Sequence, residues 1–460
     1  MRINWHDPRV LSILIVLAII FLGIFSGRII TGYSYKLVLA AILGVVIFIT
    51  ALVNTDAGLA VLIFSMLLSP EIMLGQVPGR DIVIRFDDVL LAIITFTWFA
   101  KTAINKGLAL FIKTPLNKAI GFYVLVCIIA TMRGAALGYV TPAKGAFYVL
   151  RYTEYFLLYI LVVNHIHSRK QIKFFLNALF VTCALVSFYG ILQIPSGRRV
   201  SAPFEGEVGE PNTFGGYLLF ILCIVVGILL QNVPKKLRLT MICLSILIFI
   251  PFLFTLSRAS YLGIILSFFA FIILSKRKIV LAGVAATIIL AGMVLQPEAV
   301  FSRVKYTFQK KREARVKVGS VYLDPSASAR IHSWEDSFEA WKKHPILGRG
   351  ITGFKFLDGQ YIRTFPEMGV VGFLALAWLL WIIFKHSLGI YKKMDDELYR
   401  GLALGFIAGF IGLAIHAMTA NTFIIIRIME PFWFITGIVM MLPSLREEER
   451  NEALKAEQTS

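Results

Sequence analysis

Apolar runs of about 17 to 20 residues, the length an α-helix needs to cross the hydrocarbon core of a bilayer, recur along this chain from one end to the other. Fourteen are expected, at about 10–27, 36–53, 57–75, 87–103, 118–136, 145–164, 172–193, 212–231, 239–256, 259–275, 279–295, 366–385, 401–419 and 424–442. Lipid offers no partners to backbone N–H and C=O groups, so each run is expected to satisfy them internally as a helix. Composition points the same way: 58% of the 460 residues are hydrophobic and 16% charged, which sets aside an ordinary soluble domain. The expected fold class is therefore an all-α polytopic membrane protein with about 14 transmembrane helices. No small-residue cleavage pattern follows the first run, so it is expected as a retained helix.

Short basic connections set the orientation, because Lys and Arg in short loops stay on the cytoplasmic side. "HSRKQIK" at 167, "PKKLR" at 234, "SKRK" at 275 and "KHSLGIYKKMDDELYR" at 385 share one side when the runs are threaded. Lys101, Lys106, Lys113 and Lys118 join them, as do both termini. The chain then divides into helices 1 to 11 over 1–295, a large extracytoplasmic loop with short helices over 296–365, helices 12 to 14 over 366–443, and a cytoplasmic tail over 444–460. That tail, "LREEERNEALKAE", is expected as a solvated helix or a disordered end.

The long loop is itself basic, with thirteen Lys or Arg against six Asp or Glu between 301 and 365. Two readings stand: a solvated cap, or a surface that meets an anion through guanidinium forks that bind phosphate bidentately. Together with the positive-inside bias it accounts for the net charge of +19 without a nucleic-acid partner. Cys127, Cys183, Cys223 and Cys243 all fall inside apolar runs and are expected as small buried hydrophobes. Neither a metal-ligand spacing nor a phosphate-cradling glycine loop is present in the sequence, so no cofactor or metal is implied.

Polar residues at the edge of a membrane helix are costly, and a functional role is their first reading. "TLSRASYLG" offers Ser257, Arg258 and Ser260 in a turn that is either a hairpin with a snorkelling Arg or part of a site. "RYTEYFLLY" sets Arg151 and Glu154 at salt-bridge spacing, a pair that equally could face a ligand. "HAMTANTFIIIRIMEPFWF" places His416, Asn421, Arg427 and Glu430 around one turn, with Arg427 and Glu430 able to neutralise each other. In "DGQYIRTFPEMGVVG", Gln360, Arg363 and Glu367 share a helical face, and Pro366 predicts a break at Phe365. Gly369 and Gly372 suit close packing or lipid approach. Pro345, Gly348 and Gly350 are expected to shape a turn, and His332 and His344 are single. Trp334, Phe338 and Trp341 predict an amphipathic helix that packs on the membrane domain or stacks on sugar.

The last of these stretches resembles the signature of the O-antigen ligase and polymerase superfamily, a His-Asn-x-Tyr-Leu box followed by Glu-x-Gly-x-x-Gly at the start of a membrane helix. Tyr361, Ile362, Glu367, Gly369 and Gly372 match in register. "ARIHSWEDSFEAWKKHPILGRGITGF", "LSRASYLG" and "RVSAPFEGEVGEPNTFGGYL" are similar to segments that accompany the box, in the right order over roughly 195 to 440. Asp358 and Gly359 stand where the ligase box has His and Asn, a departure that favours a polymerase over a ligase.

The resemblance implies a GT-C-like glycosyltransferase that moves a glycan from undecaprenyl diphosphate to an acceptor sugar on the outer face of the bacterial inner membrane. It implies Arg258, Arg330 and Arg363 as diphosphate-stabilising groups, with Arg151 and Arg427 behind them, and Asp358 or Glu367 as proton acceptor. Glu154, Arg199, Asn212, Gln360 and Tyr361 complete the expected substrate contacts. Partners implied are the lipid-linked oligosaccharide, the growing polysaccharide, the bilayer and a chain-length regulator. A ligase acting on a lipid core or protein, and a lipid-linked oligosaccharide flippase, are the rival readings.

Overall fold

The computed structural model describes residues 49–50, 53–77, 80–104, 112–205, 209–278, 280–283, 317–318, 321–322 and 325–459. The expected spans at 10–27, 36–53 and 279–295 and the loop stretch 296–316 lie wholly or largely outside these residues.

Helix α1 spans Thr55–Leu68 and opens at Asn54, whose side chain accepts the Asp56 and Ala57 amides. It does not run on to residue 75 as expected. Pro70 disfavours helical geometry at Ser69, and the chain turns into an antiparallel hairpin, β1 Glu71–Val77 with β2 Arg80–Arg85. The apolar run continued across that proline although the helix could not. A two-residue ladder pairs β3 Lys317–Val318 with β4 Val321–Tyr322, so the regular structure of the described residues is helical apart from two small β-hairpins.

The remaining helices are α2 Phe86–Ile104, α3 Asn117–Ala136, α4 Pro142–His165, α5 Arg169–Gln193, α6 Pro211–Leu229, α7 Lys235–Phe254, α8 Arg258–Leu274, α9 Pro325–Lys343, α10 Gln360–Lys393, α11 Glu397–His416 and α12 Ile426–Thr459. Among the described residues eight helices, α3 to α7 and α10 to α12, are long and apolar enough to cross a membrane; α1 and α8 are shorter apolar helices. The expected tail is a continuation of α12. Cys127, Cys183 and Cys223 are buried, but Cys243 lies on the uncovered face of α7.

Helix α11 runs through the centre against α6, α8 and α10. Where α6 crosses it, Gly227 sits so close to Gly405 that a side chain on Gly227 would strike the Gly405 backbone, the small-residue contact by which apolar helices associate in lipid.

The basic connections do share one end. Arg169 pairs with Asp396 at 2.6 Å, Arg277 donates to Gln231 O at 3.3 Å, and the Asn232 amide donates to Glu397 at 3.0 Å. At the other end lie the turns before α6, α8, α10 and α12, and there α10 is interrupted. The interruption is at Gly369 (φ 65°, ψ −164°), not at Phe365. Pro366 is tolerated within the helix because Ile362 O, which a proline cannot serve, accepts Ser337 Oγ of α9 at 3.0 Å. Around Gly369 the loop supplies substitute bonds: Val370 N donates to Pro345 O at 2.8 Å, while Arg349 N and Gly350 N donate to Pro366 O and Glu367 O, each at 2.8 Å.

Candidate functional site

The lip of α10 is tied down from three directions. The Gln360 amide donates to Ala417 O at 2.9 Å and Ala420 O at 3.1 Å, and Asn421 Nδ2 donates to Leu357 O at 2.7 Å. Behind it α9 packs through Trp341, whose ring lies 5.7 Å from that of Phe365 and whose indole donates to Pro345 O at 3.1 Å. The packing reading of the aromatic face of α9 thus holds for Trp341.

Arg363 and Glu367 are both 4% exposed and meet at ion-pair distance, as their spacing predicts. Arg363 Nε and Nη2 both donate to Glu367 Oε1, and Nη2 also donates to the Tyr152 hydroxyl at 2.9 Å. Thr352 N, held at φ 70° where a β-branched residue is strained, adds a third donor to Oε1 at 3.3 Å. The Phe356 ring covers the guanidinium at 5.1 Å. What this leaves is uneven. Arg363 Nη1 is buried without a hydrogen-bond acceptor, and Glu367 Oε2 receives no donor among the described residues.

Around the same lip, Gln360 Oε1, Asn421 Oδ1 and the indole N–H of Trp334, which adjoins Gly359, are also buried without partners. Each such orphan costs about 1–3 kcal/mol, and native structures rarely gather several unless something else completes them. Asp358 is exposed beside them. Tyr361 turns outward, its hydroxyl bonded to Ala414 O at 2.8 Å, and heads an apolar groove of about 310 Å³ between α10 and α11 lined by Phe373, Leu380, Trp381, Phe384 and Phe410.

Arg199 and Asn212 come together, Nη2 to Oδ1 at 3.0 Å. Arg199 also donates to Thr255 O at 2.9 Å and Leu256 O at 3.4 Å, so it braces the turn from which Arg258 begins α8. Ser257 caps that helix, accepting the Ser260 amide at 3.3 Å. Arg330 lies in α9, and its side chain is outside the described ones.

Arg427 and Glu430 do not neutralise each other. Arg427 donates to Leu67 O, Pro203 O, Ser69 O and Phe204 O at 2.9 to 3.4 Å and stands 3.8 Å from Glu205. It is a strut between α1, the loop before α6 and α12. Burial pushes the Glu205 carboxyl up to about 8 despite the nearby Arg427. Glu430 faces Arg85 instead, at 3.6 Å. Arg85 also meets Asp87, and Arg151 meets both Asp88 and Glu154, the last at 3.7 Å. The expected Arg151–Glu154 pair therefore exists, at the half-buried edge of a larger network.

Sequence reasoning missed Tyr152, which sat unremarked inside the quoted "RYTEYFLLY", and Arg85, Asp87 and Asp88, whose charges at the mouth of an apolar run were the available signal. His344 is not single: its Nε2 lies 3.0 Å from the Tyr139 hydroxyl. His332 has Glu335 at 3.2 Å.

Residues 243–377, from α7 into α10, match the family model described as O-Antigen ligase. No curated protein matches the chain.

Proposed function

We propose that this chain, a multi-pass membrane protein of the O-antigen ligase and polymerase superfamily, polymerises a bacterial surface polysaccharide. The donor is a glycan on undecaprenyl diphosphate, and transfer takes place on the outer face of the cytoplasmic membrane within a GT-C-like helical frame. The observation that carries this reading is the gathering of unsatisfied donors and acceptors at the lip of α10, between Trp334, Gln360, Arg363 and Asn421.

A lipid-anchored diphosphate resides at headgroup depth, where the lip of a membrane helix lies. Its isoprenoid tail suits the apolar groove below Tyr361. In the transfer the acceptor hydroxyl oxygen attacks the anomeric carbon, the bond from that carbon to the diphosphate oxygen breaks, and the bonding pair leaves with the diphosphate. Negative charge grows on the leaving oxygens, and preorganised guanidinium groups at Arg258, Arg330 and Arg363 stabilise it. The hydroxyl proton passes to a carboxylate, Glu367 through Oε2 or Asp358. Arg199 and Asn212 act as positioning residues for the Arg258 turn. Asp358 and Gly359 in place of His and Asn favour polymerase over ligase.

The test is to incubate the protein in nanodiscs with a lipid-diphosphate repeat unit and to separate the glycans by size. A ladder with released lipid diphosphate is expected. Transfer only to a lipid core would replace polymerase by ligase, and passage of the intact lipid across a vesicle bilayer would replace both by a flippase.

A further inference from the structure

The buried guanidinium groups of Arg85, Arg363 and Arg427, and the half-buried one of Arg151, all face a carboxylate. A different arrangement occurs on the far side of the 345–350 loop. Arg133, near the end of α3, donates to Gly348 O at 2.6 Å. Arg349 meets rings, its Cζ 5.1 Å from that of Tyr139 and 5.7 Å from that of Phe354, and its buried Nε finds no acceptor among the described residues. His344 closes the group against Tyr139, ring to ring at 5.1 Å. Among the described residues, no carboxylate lies at ion-pair distance from Arg133, His344 or Arg349.

The backbone is built for this placement. Gly348 and Gly350 flank Arg349 at φ 62° and 89°, a conformation glycine adopts without strain. Gly134 lets the Arg349 carbonyl approach α3 so closely that any side chain there would collide with it. Cations that all bear on the 344–350 loop without a carboxylate at ion-pair distance repel one another, and an anion between them would offset that repulsion.

The surroundings say what carries that anion. Met132 is 67% exposed and Ile346 67% exposed on either side of the cationic group. Met132 lies in the last turn of α3, a helix apolar enough to cross a membrane, and Ile346 in the loop that carries Arg349, so an acyl or isoprenoid chain would run past them where a free ion would leave them bare. We infer that Arg133 and Arg349, with the Tyr139 ring against Arg349, form a second anion site that takes a phosphate group of a membrane-anchored lipid. The site is separate from the Arg363–Glu367 centre, to which its loop is bonded through Gly350 N and Glu367 O at 2.8 Å. The inference stands whether or not the chain transfers glycans.

The experiment uses the full chain in phosphatidylcholine nanodiscs with two photoreactive probes, a farnesyl diphosphate and a phosphatidylglycerol, and maps the adducts by peptide mass spectrometry. Adducts are expected on the peptides that hold Met132 and Ile346. In the double variant Arg133→Ala/Arg349→Ala they should fall at least about tenfold, since one charge-assisted phosphate contact alone accounts for that much, while adducts in the groove below Tyr361 persist and report a folded chain. Arg133→Lys/Arg349→Lys, which keeps the charge, should retain most of the labelling. Labelling by the diphosphate alone identifies a substrate lipid as the source, and labelling by phosphatidylglycerol a bilayer lipid. If neither probe labels these peptides, or if labelling survives the double alanine variant, the inference is wrong. Neither result depends on polymer formation.

Discussion

Arg363 and Glu367, one turn apart on α10, are joined through a single carboxylate oxygen: Nε and Nη2 of the guanidinium reach Oε1 at 3.0 and 2.9 Å. With both donors on one oxygen, Oε2 receives none among the described residues. Glu367→Gln keeps the size and the acceptor oxygen while removing the basicity. It leaves the buried Arg363 without its counter-charge, so thermal stability should fall, and in the folded fraction kcat should drop about 10²- to 10⁴-fold, with KM little changed, if the carboxylate takes the proton. Turnover near that of the parent protein would shift the role to Asp358.

Asp358→Asn is the complementary change at an exposed position, so its effect on stability should stay within about 0.5 kcal/mol. A collapse of kcat there together with normal kcat in Glu367→Gln would assign the base to Asp358. Measuring both variants in one polymer assay decides between them, because the alternatives predict opposite patterns.

Much of the helical frame was legible because length and apolarity alone demand it: the expected run at 118–136 became Asn117–Ala136, and 212–231 became Pro211–Leu229. The spacing of Arg363 and Glu367 announced their ion pair, since i and i+4 meet on any helix. The same logic failed for Arg427 and Glu430, because spacing cannot show that Arg427 has backbone carbonyls of α1 and the loop before α6 within reach. The break in α10 was misplaced for a related reason. Proline was the local signal, but Ser337 of a distant helix relieves it, and the actual break falls where the 345–350 loop replaces the helical bonds. Arg133 and Arg349 lie 216 residues apart in the chain, and no local pattern links them.

Arg427 is accordingly expected to matter for stability and not for substrate contact. Arg427→Ala would leave carbonyls of Leu67, Ser69, Pro203 and Phe204 without their donor and Glu205 without its nearest cation. A loss of about 3–5 kcal/mol is expected, read as lower thermal stability and lower yield in detergent. Normal thermal stability combined with a raised KM would return Arg427 to the substrate site.

Gly369 gives a backbone test. Its φ of 65° is unfavourable for other residues, and a side chain there would strike the Ile346 carbonyl. Gly369→Ala should destabilise by about 1–3 kcal/mol or more, whereas Gly389→Ala, where nothing stands near the added carbon, should be neutral or slightly stabilising. Equal melting temperatures for the two variants would show that the break in α10 is not required.

His344 connects the second cationic group to pH. Burial, then Arg133 of α3 and Arg349 and Lys343 beside it, hold its imidazole below the usual histidine range, while Tyr139 meets its Nε2. The unfolded chain therefore takes up this proton first, at about pH 6.5. The stability that follows is complete above that pH and is lost as pH falls toward the lower value in the folded protein. Between about pH 8 and about pH 5 the melting temperature should drop more in the parent protein than in His344→Gln. Added pyrophosphate should shrink that difference, because an anion between Arg133 and Arg349 offsets the charge that disfavours the imidazolium. Parallel pH profiles for the two proteins would remove His344 from the group, and a difference untouched by pyrophosphate would mean that no anion reaches it.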